Sequence, residues 1–359
     1  MGINLDTQAT RSTLMSVDST LSENITAAQN YIPIASTTNF STSVVAEIET
    51  TNEVVSFTDI SENLAIASED LTNATYWPIA SATITANQAE APDGTTTADE
   101  LSSVGSGGKI QQFWTGLTSG GTYNYSIYVK AKVAGFLRFM IAAGSGTAHY
   151  FGGWFNTSTG AWGTMTTNGS ATNVNNSVTS VGDDWYRVDL TGILTGQTAY
   201  TIWHYHSASD ASSIRSATPE SYLWGAQFEE ASAPTTYLPT GTSALVGLTG
   251  VTRGANGTTA QSASSGDSIQ QLPYALSEVN MPTRLKGLSV TSDGTGVGRL
   301  TLCDKIGTTL CDVDIPDNRL YELSWDGGII FPNGIYVANS DNITAYTLFT
   351  DKHSGAGLS

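Results

Sequence analysis

Apolar and polar residues alternate with a period of two along most of this chain, and this pattern predicts β-strands. In residues 43–57 the alternation runs through Val, Ile and Phe positions on both sides of Thr51 and Asn52, which predicts a β-hairpin. Short alternating segments separated by Gly-rich turns continue from Arg284 to Leu358. The sequence contains no heptads, no solenoid repeat and no long helical pattern. We therefore expect an all-β fold.

The N-terminal residues depart from this pattern. Residues 1–30 are polar with scattered Leu and Met, and the stretch from Val17 to Ala28 predicts a short helix capped by Ser16 or Asp18. Because such a segment buries little apolar surface by itself, we expect an N-terminal arm that docks against a neighbouring subunit.

Composition and charge limit the partners. The chain has 359 residues, enough for about two or three domains. It carries 32 acidic and 14 basic residues, for a formal charge of −18, which repels phosphate backbones, so we expect no nucleic-acid partner. The N-terminus does not resemble a signal peptide and no run approaches about 18 apolar residues, so we expect neither export nor membrane insertion.

Four motifs in the middle of the chain carry a resemblance. They are SYLWGAQFEEASAPTTYLPT at 221–240, DWYRV at 184–188, YSIYVKA at 125–131 and APDGTTTA at 91–98. Their order along the chain resembles that of a jelly-roll module that is common in phage virion proteins. The resemblance implies a carbohydrate-binding-module-like, lectin-like sandwich over residues 63–243, and it is more specific for the fold than for a ligand.

Two flanking segments resemble a second unit. Residues 53–58 (EVVSFT) and 248–260 (LTGVTRGANGTTA) are similar to a short β module of phage tail proteins, split here by the sandwich. We expect the sandwich to be inserted into a small β domain made of 31–62 and 244–280. Residues 281–359, which resemble small β-sandwich proteins of marine and cyanobacterial phages, would form a C-terminal β domain.

The segment Thr201–His206 is the first place to look for chemistry. In a strand, Trp203 and Tyr205 share one face, while His204 and His206 share the other with Ile202. Two histidines in this spacing can hold a metal with a third ligand, for which His149 and Asp210 are the local candidates. The expected alternative is a pair of imidazoles hydrogen-bonded on a concave polar face.

Sugar recognition is the second chemistry considered, because aromatic faces stack on the apolar side of a pyranose ring while polar groups pair its hydroxyls. Trp185 and Trp224 lie in the module motifs, and we expect them to be structural. The candidates for glycan binding are His149, Tyr150, Trp154, Trp162, Trp203 and His206.

No catalytic constellation is found, and we expect no enzymatic activity. The acidic pairs Glu229–Glu230 and Asp183–Asp184 are adjacent in sequence, so their carboxylates point in different directions and do not flank one glycosidic bond. No cofactor is expected, although a structural calcium bound by these acids with Asp70 or Asp93 is left open.

The remaining motifs predict local structure. We expect Cys303 and Cys311 to lie opposite each other in a hairpin that turns near Gly307. They could form a disulfide, but two buried thiols are favoured because a chain folded in a reducing cytoplasm does not need the bond. Arg253 is expected to anchor a neighbouring carboxylate or carbonyl.

The resemblances together imply a bacteriophage virion protein, assembled in the host cytoplasm and exposed on the released particle. A tail fibre, tail tip or baseplate position is expected, with the jelly roll contacting host surface glycan and the rest contacting other virion proteins. A homo-oligomer, most simply a homotrimer, would raise avidity. The alternatives are a capsid decoration or head-fibre protein, and a jelly roll that is only an architectural spacer.

Overall fold

The structure is a computed structural model, and the regular elements among the residues that it describes are all β-strands. The described residues are 19–36, 45–48, 50–51, 53–103, 108–216, 219–255, 258–271, 283–292, 294–304, 308–316, 320–332 and 334–352. They belong to two compact units, residues 1–60 with 247–359 and residues 61–246. No helix in this part of the chain is long and apolar enough to span a membrane.

The strands are numbered in chain order. They are β1 (Ser19–Thr20), β2 (Ile32–Ile34), β3 (Val45–Ile48), β4 (Glu53–Ser56), β5 (Asp59–Asn63), β6 (Ile79–Ala80), β7 (Ala82–Ala89), β8 (Ala98–Ser103), β9 (Lys109–Thr115), β10 (Thr122–Val133), β11 (Phe136–Ala143), β12 (Tyr150–Asn156), β13 (Ala161–Asn168), β14 (Ala171–Gly182), β15 (Trp185–Leu194), β16 (Ala199–Ser207), β17 (Glu220–Glu229), β18 (Leu245–Thr249), β19 (Thr252–Ala255), β20 (Ser268–Gln271), β21 (Thr283–Ser292), β22 (Gly298–Cys303), β23 (Thr309–Ile315), β24 (Leu320–Phe331), β25 (Tyr336–Asp341) and β26 (Ile343–Lys352).

The unit of residues 61–246 is a sandwich of two six-stranded antiparallel sheets. The first sheet has the order β14-β15-β10-β17-β8-β7, and the second has the order β13-β12-β11-β16-β9-β6. One core fills the space between them, with Tyr125 and Phe228 from the first sheet against Phe139 and Phe151 from the second. Alternate residues of each strand enter this core. The predicted fold class, an all-β chain with an inserted jelly-roll sandwich, is confirmed.

Asn63 joins the beginning and the end of the sandwich. Its buried side-chain amide donates hydrogen bonds to the carbonyls of Ala226 (2.9 Å) and Leu238 (2.8 Å). Its oxygen accepts hydrogen bonds from the backbone N–H groups of Ala65 (2.9 Å) and Phe228 (3.1 Å). The entering and leaving segments therefore lie side by side, which is the geometry that allows one unit to be inserted into another.

The motifs that carry the jelly-roll resemblance pack together. Trp185 and Trp224 are buried with Ala91 and Ala98, and Tyr237 packs against them with its ring centroid 4.9 Å from that of Trp224. The indole N–H of Trp224 donates to the Thr97 hydroxyl at 3.0 Å. The expectation that Trp185 and Trp224 are structural is confirmed.

The other unit contains the predicted N-terminal hairpin. Strands β3 and β4 pair antiparallel, with Val45 opposite Ser56 and Ile48 opposite Glu53, as expected from the alternation. They belong to a five-stranded sheet of order β1-β20-β3-β4-β19. A three-stranded sheet of order β2-β18-β5 contains the strands through which the chain enters and leaves the sandwich.

The short helix expected between Val17 and Ala28 is wrong over the described residues. Ser19 and Thr20 form β1, which pairs with β20, and Leu21 and Ile25 are buried. The i, i+4 spacing of Leu21 and Ile25 suits a helix, but long-range backbone hydrogen bonds to the Asp267 and Ala263 carbonyls satisfy these residues instead. Residues 19–25 thus pack on their own unit, and residues 1–18 lie outside the described part.

The C-terminal strands form two three-stranded sheets, of order β24-β21-β26 and β23-β22-β25. A core that includes Leu288, Leu300 and Phe331 lies with them. These sheets belong to the same compact unit as the N-terminal hairpin, and their separation as a third domain stays a prediction.

The hairpin that carries the two cysteines forms, with a different register from the one expected. Cys303 lies opposite Thr309 and Cys311 lies opposite Leu302, so the two cysteines do not face each other. Both are buried free thiols. The expected turn residue Gly307 lies outside the described residues.

Candidate functional site

The outward side of the second sheet collects aromatic and basic side chains. Register places Trp203 opposite Gln111 of β9 and Met140 of β11, and places Tyr205 opposite Arg138. Directly opposite residues of neighbouring strands share a side. The outer face is defined here as Lys109, Gln111, Phe113, Arg138, Met140, Tyr150, Trp154, Trp203 and Tyr205. The predicted sidedness of Thr201–His206 is confirmed, since Ile202 and His204 enter the core.

Cations cover most of the rings of the outer face. The Lys109 Nζ lies 3.8 Å from the ring centroid of Trp203, and the Arg138 Cζ lies 4.2 Å from that of Trp154. Arg138 also donates a 2.6 Å hydrogen bond from Nη1 to the Tyr205 hydroxyl, and Arg215 lies over the Tyr205 ring at 4.6 Å. Stacked cations and rings of this kind attract each other. Trp203 is only 9% exposed and Trp154 only 3%.

Phe113 is the exception, because its side chain is 53% exposed at the edge of the same face. It lines an open groove of about 270 Å³ together with Tyr76, Pro78, Gln111 and Trp114. Lys109, Gln111 and Phe113 project on one side of β9, while Ile110 is buried on the other. Along β9 the outer face therefore presents the exposed ring of Phe113, the side-chain amide of Gln111 and the Lys109 cation stacked on Trp203.

Three of the six predicted glycan-binding residues are brought together. Tyr150, Trp154 and Trp203 lie on the outer face, in β12 and β16 on either side of β11. His149 lies at the end of this region, where its Nδ1 accepts a 2.8 Å hydrogen bond from the Ser170 backbone N–H.

Trp162 and His206 lie elsewhere. The Trp162 ring packs edge-on against Phe139 and Phe155, and its N–H donates to the Ser177 carbonyl at 3.0 Å. His206 is fully buried and hydrogen-bonds the Ser221 hydroxyl at 3.1 Å. Because Ser221 belongs to β17 of the first sheet, His206 lies between the two sheets and does not contribute to the outer face.

His204 is a core residue, and the expected concave polar face around it is wrong. Its ring centroid lies 5.2 Å from those of Tyr125 and Phe139 and 6.0 Å from that of Trp77. Neither ring nitrogen has a hydrogen-bond partner within the described residues. Burial lowers the pKa of His204 to about 3, and mainly burial lowers the pKa of His206 to about 4. Both imidazoles are therefore neutral at physiological pH.

The proposed metal ligands do not meet. Asp210 accepts hydrogen bonds from the backbone N–H (2.9 Å) and the hydroxyl (3.0 Å) of Thr164. Across the described residues, no group of three His, Cys, Asp or Glu side chains is arranged to hold a metal ion.

The carboxylates of Glu229 and Glu230 have different hydrogen-bond partners in the sandwich. Glu229 is buried and accepts hydrogen bonds from Gln227 (2.8 Å) and the Thr235 hydroxyl (2.6 Å). Its neighbour Glu230 instead accepts one from the Tyr123 hydroxyl at 3.2 Å. Asp183 and Asp184 adopt positive φ angles of 49° and 61° in the turn between β14 and β15. As expected, the carboxylates of Glu229 and Glu230 point apart, since they have different partners.

Sequence reasoning missed six residues of the outer face: Lys109, Gln111, Phe113, Arg138, Met140 and Tyr205. Two signals could have found them. The alternation in Lys109–Thr115 places Lys109 and Phe113 on one side, and Arg138 is the one charge in the apolar strand Phe136–Ala143. An isolated charge in an apolar strand indicates a position that faces away from the core.

Two solved structures are similar to part of the chain. The enzymatically active domain of tailspike protein 4 of bacteriophage CBA120 is 13% identical over 47% of this chain and 21% of that chain, with a TM-score of 0.29. A carbohydrate-binding module, TmCBM27, described for specific mannan recognition, is 11% identical over 48% of this chain and 99% of that chain, with a TM-score of 0.27. This chain thus spans about a fifth of the tailspike chain.

No protein-family model and no curated protein matches the chain.

Proposed function

We propose that this chain is a non-enzymatic structural protein of a bacteriophage particle, and that it binds a carbohydrate of the host surface through the outer face of its sandwich. The observation that carries the binding proposal is the exposed ring of Phe113 beside Gln111, at the edge of a face that also holds Tyr150, Trp154 and Trp203.

The chemistry of this edge suits a sugar. A pyranose ring has an apolar side that covers an aromatic ring and removes both from water. The groove beside Phe113 is mainly apolar, and Gln111 supplies both a donor and an acceptor for sugar hydroxyls. An aromatic surface with a few polar groups is the usual lining of a small-molecule site.

The support for a virion protein is the sequence resemblance, together with the insertion of the sandwich into a second unit. That second unit would attach the sandwich to other virion proteins, at a tail fibre, tail tip or baseplate. Several copies, most simply a homotrimer, would convert weak sugar contacts into useful avidity. The particle would be assembled in the host cytoplasm and would expose the sandwich after release.

The binding test uses the purified full chain, an array of bacterial surface polysaccharides and two matched variants. Phe113→Ala is expected to weaken binding by about 2 kcal/mol, roughly thirtyfold in Kd. Phe349→Ala is the control, since Phe349 is 52% exposed on β26, in the other unit. Equal binding by Phe113→Ala and the wild type would contradict the assignment of the face. If no polysaccharide binds, the jelly roll is an architectural spacer.

The location test is electron cryomicroscopy of the intact particle with this chain located and counted. A handful to a few tens of copies on the tail are expected. Hundreds of copies on the capsid would instead identify a decoration protein.

A further inference from the structure

The strands of the second sheet of the sandwich contain no acidic residue in an acidic protein, although the Asp210 carboxylate in the loop after β16 is hydrogen-bonded to Thr164 of β13. None of its strands β6, β9, β11, β12, β13 and β16 contains Asp or Glu, although the chain has 32 of them. The first sheet, in contrast, carries Asp99, Glu100, Asp189, Glu220 and Glu229. The outer face therefore lies on the one sheet of the sandwich whose strands have no negative charge.

Basic residues concentrate on this acid-free sheet. Residues 61–246 contain six Lys and Arg: Lys109, Lys130, Lys132, Arg138, Arg187 and Arg215. Lys109 and Arg138 belong to the outer face, and Arg215 lies over its Tyr205 ring. Half of the cations of the sandwich thus meet at one surface, where they repel one another.

Lys109 and Arg138 have no carboxylate partner among the described residues. On the first sheet, Lys132 pairs with Glu100 at 2.7 Å and Glu220 at 3.0 Å. Neither Lys109 nor Arg138 forms an ion pair with any residue in the described part of the chain. Burial, and after it the positive charge of Arg215, lowers the pKa of Lys109. An anion at this surface would pair with these cations and would favour the charged form of Lys109 again.

Two buried N–H groups of the same face also have no acceptor in the described part of the chain. Arg138 Nε and Trp203 Nε1 are buried and donate no hydrogen bond to any described residue. The corresponding N–H of Trp154 is satisfied by the Ser207 hydroxyl (3.2 Å) and the Ser212 carbonyl (2.9 Å). A buried donor without an acceptor destabilises the folded chain, and a ligand that supplies the acceptor removes this penalty.

We propose that the carbohydrate bound by the outer face is acidic, and that Arg138, Lys109 and Trp203 bind the carboxylate of one of its sugars. This inference rests on the proposed carbohydrate-binding function and names the class of its ligand. A carboxylate has two acceptor oxygens, which matches the planar donor set of Arg and adds a charge-assisted hydrogen bond. The Lys109 side chain has to leave the Trp203 ring to admit it.

The same arrangement requires an oligosaccharide. Lys109 and Phe113 are four residues apart in β9, which is about 13 Å along a strand. A neutral part of the chain would cover the Phe113 ring, while an acidic unit further along would reach Lys109 and Arg138.

The experiment measures calorimetric binding of the full chain to two carboxylated polymers, polygalacturonate and polysialate, and to their methyl esters. At least one carboxylated polymer is expected to bind, with its uncharged ester at least tenfold weaker and with affinity falling as salt is raised. Arg138→Met and Lys109→Met keep the aliphatic stems and are each expected to weaken binding about tenfold. Lys132→Met, on the first sheet, is the matched control and is expected to bind like the wild type.

The other outcomes overturn the proposal. If an ester or a neutral polysaccharide binds as tightly as the acidic form and still depends on Phe113, the ligand is uncharged and only the proposed carbohydrate function stands. If neither carboxylated polymer binds, or if single-stranded DNA binds equally through Lys109, the carboxylated-sugar assignment is wrong. Should Arg138→Met fail to fold by circular dichroism, Lys109→Met decides, because Lys109 is only half-buried.

Discussion

Arg253 and Glu53 are 200 residues apart in sequence and form a buried, bidentate ion pair. Arg253 Nε donates to one carboxylate oxygen at 2.7 Å and Nη2 donates to the other at 2.8 Å. Glu53 also accepts hydrogen bonds from the backbone N–H groups of Gly254 and Gln261, both at 3.0 Å. The expected carboxylate anchor for Arg253 is confirmed, and it joins the two segments that flank the inserted sandwich.

Breaking this pair should destabilise the unit that contains it. Arg253→Met leaves a buried carboxylate without its counter-charge, and we expect the free energy of unfolding to fall by about 3–5 kcal/mol in urea denaturation. Arg299→Met is the matched control, because the Arg299–Asp312 pair in the same unit is exposed and contributes at most about 1 kcal/mol. Similar losses in the two variants would contradict the buried pair's role.

Protonation of the Glu53 carboxylate should reduce stability at acid pH. Burial raises the pKa of Glu53, but the hydrogen bonds and charge of Arg253 and the backbone N–H groups outweigh it and lower the pKa below its usual 4.5. The stabilisation is therefore present above about pH 4.5 and is lost as pH falls through the lower folded-state value. Glu53→Gln should flatten this part of the stability profile, and an unchanged slope below pH 4.5 would refute the assignment.

The two buried histidines should make the folding stability depend on pH in a second, higher range. Their folded-state pKa values of about 3 for His204 and about 4 for His206 lie below the usual 6.5. Below about pH 6 the two histidines bind protons in the unfolded chain but not in the folded sandwich. The free energy of unfolding should therefore fall by up to about 2.7 kcal/mol for each unit that the pH is lowered between about pH 6 and pH 4.

His204→Phe isolates one of these protons. Phe fits the aromatic surroundings of Tyr125 and Phe139 and removes two buried nitrogens that lack partners among the described residues. We expect equal or greater stability at pH 7 and about half the wild-type slope between pH 6 and 4, measured by tryptophan fluorescence in urea. A variant with the full wild-type slope would show that His204 is not the titrating group.

Asn63 should be among the most sensitive polar positions of the sandwich. Asn63→Ala leaves the carbonyls of Ala226 and Leu238 and the N–H of Phe228 without their partner, and we expect a loss of about 3 kcal/mol or more in urea denaturation. Asn168→Ala is the control, because the exposed Asn168 amide donates only to loop carbonyls. Comparable losses at both positions would exclude a special role for Asn63.

The cysteines should react slowly in the folded protein. Burial, and then the charge of Asp304, raises the pKa of Cys303 to about 12, and burial raises the pKa of Cys311. Because the thiolate is the nucleophile, we expect little alkylation by iodoacetamide at pH 8 and rapid labelling of both thiols in denaturant. Mass spectrometry that finds no free thiol in the denatured chain would instead indicate a disulfide.

Local pattern determined the elements of this protein. Period-two alternation is enough to place the hairpin of β3 and β4 and to divide β16 into a Trp203 side and a His204 side, because successive side chains of a strand point in opposite directions. The dispersed motifs around Trp185 and Trp224 resemble those of a jelly-roll module, and in the structure these residues form one packed cluster.

Tertiary structure decided which side of each element is buried and what covers it. His204 enters the core because the first sheet packs on that side of β16, and residues 19–25 form strand contacts because partners from residues 263–269 lie beside them. Phe113 stays exposed, while Lys109 and Arg138, distant in sequence from the rings that they cover, bury Trp203 and Trp154. Alternation is a property of neighbouring residues, whereas burial and charge compensation depend on contacts between residues far apart in the chain, so only the folded sheet creates the outer face.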